Sequence, residues 1–122
     1  MLSSLDLAAV NSFLITARKE IDKNNAYFVY YRNVKSGNKV VNARQALLDI
    51  GIIKISEIWN HIKELQPSDC FRISRDRDFS RDFNAEIYEF KKNINRKSVY
   101  IKLTINDKGL LCISFHIDNG GN

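Results

Sequence analysis

The sequence predicts an α+β fold, with helices packed on one face of a small antiparallel sheet. Two periodicities predict it. In the first half apolar residues recur at the three-and-four spacing of buried helical faces, and in two runs between Val99 and His116 they recur at every second position. At 122 residues, 44% apolar and with one proline and five glycines, the chain suits a single domain over 1–122: a helix and an aromatic strand over 1–42, a core over 43–116 and a short tail over 117–122.

A first helix is expected from about 4 to 23. Ser3, Ser4 and Asp6 suit its start, and Leu7, Val10, Phe13, Leu14, Ala17 and Ile21 form one stripe. Tyr27 to Tyr31 is aromatic and branched enough for a strand. Lys35-Ser36-Gly37-Asn38 turns the chain, and Asn42 caps a short helix that Gly51 closes. Ser56 is the expected cap of a further helix whose stripe is Ile55, Ile58, Trp59, Ile62 and Leu65, stopped by Gln66-Pro67. Trp59 is core on this pattern, and His61 falls off the stripe as a solvated histidine. After an irregular charged stretch, three strands are expected over 83–91, 98–106 and 110–116.

The last two strands carry the chemistry. Val99, Ile101, Leu103 and Ile105 alternate with Tyr100, Lys102 and Thr104; Leu111, Ile113 and Phe115 alternate with Cys112, Ser114 and His116. A three-residue loop Asp107-Lys108-Gly109, with glycine in its left-handed position, would pair Asn106 with Leu110. Tyr100 then opposes His116 and Lys102 opposes Ser114, side chains separated by roughly 5 Å at Cβ.

Charge narrows the class. The net charge is +5, and it is concentrated between Arg72 and Lys102, where nine basic residues face five acids. Such a field attracts a phosphate backbone or an acidic protein. No apolar run approaches the roughly 20 residues of a membrane span, which with the absence of a leader pattern suggests a cytoplasmic protein. Cys70 and Cys112 lack metal-ligand spacing and read as reduced thiols. No P-loop, GxGxxG, HExxH or GxSxG is present, so nucleotide-dependent and metal-dependent chemistry are disfavoured and no cofactor is expected.

Cleaving RNA without a metal requires a base for the 2′-hydroxyl proton, an acid for the leaving 5′-oxygen and cations for the phosphate. Arg72, Tyr100, His116 and Lys102 are suited to those tasks. Each alone is an ordinary surface residue; convergence on one face is what singles them out.

The stretches Gln45-Ala46-Leu47-Leu48, Ser68-Asp69-Cys70-Phe71-Arg72, Glu86-Ile87-Tyr88, Val99 to Ile105 and Leu111 to His116 resemble the MqsR family of toxin-antitoxin ribonucleases, over the segment from Ala43 to His116. The resemblance implies a RelE-like fold and a metal-independent endoribonuclease that cuts messenger RNA, neutralised by a cognate antitoxin. The ribosome is a further candidate partner, and a membrane is not. Tyr100 stands where the family has a catalytic tyrosine; Arg72 and His116 stand at two catalytic lysines. Ala85 departs from a functional glutamine, with Asn84 and Glu86 as neighbours. The first 42 residues fall outside the resemblance and would either bind the antitoxin or complete the core.

Two other readings use the same residues. The sheet could hold single-stranded RNA without cutting it, through Lys91, Lys92, Arg96 and Lys102 on phosphates and stacking on Tyr88, Phe90 and Tyr100. Alternatively, its positive face could dock an acidic protein.

Overall fold

The computed structural model describes residues 2–74 and 86–118. The fold is α+β. Helix α1 (Ser4–Asp22) leads into strands β1 (Ala26–Phe28), β2 (Asn33–Ser36) and β3 (Lys39–Asn42), then α2 (Ala43–Ile50) and α3 (Glu57–Lys63). Strands β4 (Cys70–Ser74), β5 (Ile87–Ile94), β6 (Lys97–Asn106) and β7 (Gly109–Ile117) complete the order. The main sheet runs β1-β7-β6-β5-β4, and β2 with β3 forms a separate hairpin.

Local chemistry explains most boundaries. The Ser3 hydroxyl accepts from the Asp6 amide and the Asp6 carboxylate accepts from the Ser3 amide, a reciprocal cap that starts α1. Asn42 caps α2 through the Gln45 amide, and Gly51 ends it at φ 94°, where a β-carbon would be strained. Ser56, expected to cap α3, makes no side-chain capping bond. The Glu57 carboxylate accepts from the Lys54 amide instead, so the acid one residue later ties down the turn.

The core lies between the helices and one sheet face. Val10, Phe13, Leu14 and Ala17 of α1, Leu47 and Ile50 of α2, and Ile58 and Ile62 of α3 share it with Phe90, Ile101, Leu103 and Phe115. Burying each of the larger of these side chains is worth about 1.5–3 kcal/mol. The amino-terminal helix thus completes the core. Trp59 packs against this cluster from a half-buried position. His61 does too: its ring lies 6.4 Å from that of Phe115, so it is half-buried and not the solvated histidine that the stripe suggested.

The sheet departs from expectation in four ways. It is mixed, because β1 runs parallel to β7 with Tyr27 opposite Leu111, and only Ala26 to Phe28 of the aromatic stretch is strand. Strand β4 lies within the stretch expected to be irregular and pairs antiparallel with β5. Of the strand expected over 83–91, the first three residues are outside the described residues, and the pairing continues to Ile94.

The final hairpin is the fourth difference. Asn106 pairs with Gly109, so the loop is one residue tighter than expected, and a bulge at Ile113 then absorbs one residue of β7. The two offsets cancel beyond the bulge, and Tyr100 opposes His116 as the alternation predicts. Between turn and bulge the parity is inverted. Cys112 pairs with Leu103 and is core, whereas Leu111 pairs with Thr104 on the open side. Gly109 is required there: a β-carbon would sit 2.3 Å from the Asn25 carbonyl oxygen, which accepts the Leu110 amide.

Candidate functional site

Antiparallel pairing sets the open face. Across β5 and β6, Glu89 opposes Lys102 and Lys91 opposes Tyr100; across β6 and β7, Lys102 opposes Ser114 and Tyr100 opposes His116. A register shift between Cys70 and Arg72 brings Arg72 opposite Glu89. These strands enclose a concave cavity of about 580 Å³ lined by Arg32, Phe71, Arg72, Lys91, Tyr100, Lys102, Ser114, His116 and Asp118. All three expected catalytic residues, Arg72, Tyr100 and His116, line it together.

At its floor is a group that the sequence reading missed. Glu89 is 2% exposed and accepts four hydrogen bonds: two from the Arg72 guanidinium, each 2.7 Å, one from Ser74 at 2.7 Å and one from Tyr100 at 2.5 Å. Burial alone would push its carboxyl up, but the bonds from Arg72, Tyr100 and Ser74 outweigh it and hold the pKa at about 2. Arg72 is correspondingly raised by this bond and charge. Burial, together with donation to Glu89, raises the Tyr100 phenol above its ordinary value, so it keeps its proton at neutral pH.

His116 is 6% exposed, and its ring centroid is 5.2 Å from that of Tyr100. Nδ1 lies 2.8 Å from the Ile117 carbonyl oxygen. A carbonyl can only accept, so Nδ1 is assigned the hydrogen, and neutral His116 then carries its lone pair on Nε2. Burial lowers its pKa, opposed by that bond and by Asp118 and reinforced by Arg32 and Lys102. The resting imidazole is therefore neutral near pH 7.

The expected RNA-binding residues divide among the cavity, the helix side and a turn. Lys91 and Lys102 line the cavity, and Lys91 bridges to Asp118 at 3.2 Å. Tyr88 belongs to the helix side, stacked on Phe13 at 4.0 Å, and Phe90 is fully buried there. Neither shares the face of Tyr100, because both lie one residue from Glu89 along the pleat. Lys92 pairs with Val99 on the helix side, and Arg96 sits in the exposed β5–β6 turn with Asn95, both at positive φ. Ala85 and Asn84 lie outside the described residues, and Glu86 is exposed, its carbonyl accepting from Thr104.

Glu89 could have been found. Tyr88, Phe90 and Ile94 alternate with Glu89, Lys91 and Asn93, and a two-residue Asn95-Arg96 turn places Lys91 opposite Tyr100.

The Arg32, Arg72, Lys91 and Lys102 cations at this site meet two carboxylates, Asp118 and the underlying Glu89. The surplus of two positive charges among the described residues suits an anion. Among the described residues, no group of three or more His, Cys, Asp or Glu side chains is arranged to hold a metal ion. No helix among them is long and apolar enough to cross a membrane. Comparison with protein-family models, with curated proteins and with solved structures finds no match.

Proposed function

We propose that the chain is a metal-independent endoribonuclease that cleaves messenger RNA as the toxin of a toxin-antitoxin pair, in line with its resemblance to the MqsR family. The single observation that carries the reading is the meeting of a neutral histidine, a protonated phenol and a cationic surplus in one open cavity. A pentacoordinate phosphorane bears two negative charges, and the surplus of two matches it.

The roles follow from the resting protonation states. His116 Nε2 takes the 2′-hydroxyl proton as that oxygen bonds to phosphorus. The bond from phosphorus to the 5′-oxygen breaks, and the leaving oxygen takes the Tyr100 proton, which turns to it from the Glu89 carboxylate. Even with a raised pKa, a phenol is a stronger acid than the alcohol it creates. The products are a 2′,3′-cyclic phosphate and a 5′-hydroxyl, with one proton moved onto His116 and one lost from Tyr100, both restored by solvent. Arg72, Lys91 and Lys102 hold the phosphate. Glu89 is a positioning residue: it keeps the Arg72 fork and the Tyr100 hydroxyl in place.

Expression of the chain alone should arrest bacterial growth and deplete full-length transcripts, and co-expression of a cognate antitoxin should relieve both. Normal growth with intact transcripts, from folded protein, would contradict the toxin reading. Purified protein should still cleave RNA in excess EDTA; loss of cleavage restored by magnesium would contradict the proposed chemistry.

A further inference from the structure

One side chain in the cavity is the wrong kind for an ion cage. Phe71 is 39% exposed, yet it lies in β4 next to Arg72, in a strand whose pleat would ordinarily turn it toward the helices. The bulge between Cys70 and Arg72 is what re-aims it: Cys70 opposes Phe90 in the core, Arg72 opposes Glu89 on the open face, and Phe71 is the extra residue between them. Leaving the ring partly open to water forfeits part of the stabilisation that its full burial would contribute. The neighbours preserve its orientation. Its centroid is 6.1 Å from that of Tyr100 at a 54° tilt, the Arg72 guanidinium carbon is 5.6 Å from it and Lys91 Nζ is 4.9 Å from it.

We infer that Phe71 is the platform on which a nucleobase flanking the scissile phosphate stacks, so that the cavity takes one nucleotide unit and not a bare anion. The inference rests on the RNA reading above. The two cations at the ring are also those assigned to the phosphate, so ring and cations lie within the span of one nucleotide. Lys91 turns from the ring to the phosphate when the base arrives, its side chain being 35% exposed at the Asp118 bridge. Stacking needs only a π-face, so the site accepts any base, and the larger purines bind more tightly than pyrimidines.

The test is binding of a short RNA with 2′-O-methyl groups, which cannot be cut, to wild-type protein and to Phe71→Ala, Phe71→Leu and Phe71→Trp. Base stacking is worth about 1–3 kcal/mol, so Phe71→Ala and Phe71→Leu should both weaken binding by roughly 5- to 150-fold, while Phe71→Trp binds at least as well as wild type. Phe71→Leu retains apolar area without the π-face, and wild-type affinity for it would overturn the proposal. The added Trp fluorescence should be quenched by the oligonucleotide and not by an abasic ribose phosphate; equal response to both would also overturn it. Cleavage measured on the same proteins separates the two ideas. Stacking without any cleavage by wild type defeats the ribonuclease reading alone, and cleavage with an unchanged KM in Phe71→Ala defeats this one alone.

Discussion

Each face of the central sheet holds side chains withdrawn from water, by different forces. On the helix side Phe90, Ile101, Leu103 and Phe115 are buried among apolar neighbours, where stabilisation follows area and is indifferent to direction and to pH. On the open side Glu89 and His116 are nearly as enclosed, yet every close partner is polar or aromatic. There, stability and reactivity depend on which atom carries a proton. One sheet therefore offers a face tolerant of similar shapes and a face that isosteres can disable.

That contrast breaks most sharply at His116. His116→Ala should lower kcat by roughly 10²- to 10⁴-fold, the usual range for a general base, an effect on cleavage per folded molecule that outweighs the stability lost with the buried ring. The matching change across the sheet, Phe90→Ala, should do the reverse: a loss of about 3–5 kcal/mol in denaturant unfolding, with cleavage per folded molecule unchanged.

A third variant sharpens the comparison through pH. Glu89→Gln keeps shape and removes charge. It should cost about 1–3 kcal/mol, below the range for a broken, fully buried ion pair because the Arg72 side chain is 60% exposed and can be resolvated. Because the Glu89 carboxyl is held at about 2, below the ordinary 4.5, the native state binds fewer protons than the unfolded chain between those values. Its contribution is complete above pH 4.5 and is lost as pH falls toward 2, so Glu89→Gln should flatten the acid limb of stability. The depressed His116 pKa works in the same sense: it favours the fold above the ordinary 6.5 and is lost on acidification. It should also place the acid limb of kcat/KM below pH 6.5 and keep cleavage at full rate through neutrality.

The smallest effects distinguish the lysines. Lys91→Ala and Lys102→Ala should each reduce the salt slope of RNA binding by about 0.7. Lys92→Ala and Arg96→Ala, on the helix side and in the turn, should leave slope and affinity near wild type. Four equal effects would mean that RNA follows the whole basic segment and not the cavity.

These residues also show what a sequence can and cannot disclose. The facing of Tyr100 and His116 was legible because period-two alternation in two long strands leaves few registers. It survived a wrong turn length only because the bulge at Ile113 compensated, and Leu111 and Cys112, between turn and bulge, exchanged faces. Arg72 could be proposed by type, but strand β4 lies in a charged stretch with too short an apolar pattern to announce itself. Glu89 went unseen for a related reason. Aromatic Tyr88 and Phe90 look like stacking groups until the Asn95-Arg96 turn fixes which side of β5 meets Tyr100. Long-range pairing, and not local propensity, decides such positions.

The central claim is that His116 and Tyr100 act as base and acid on RNA in the cationic cavity. It is tested most directly by digesting one defined RNA in EDTA with wild-type, His116→Ala and Tyr100→Phe protein and mapping the ends. Wild type should leave 2′,3′-cyclic phosphate and 5′-hydroxyl ends at discrete positions, and both variants should bind the RNA but cut it at least 100-fold more slowly. Ends of any other chemistry, or undiminished cutting by both folded variants, would contradict it.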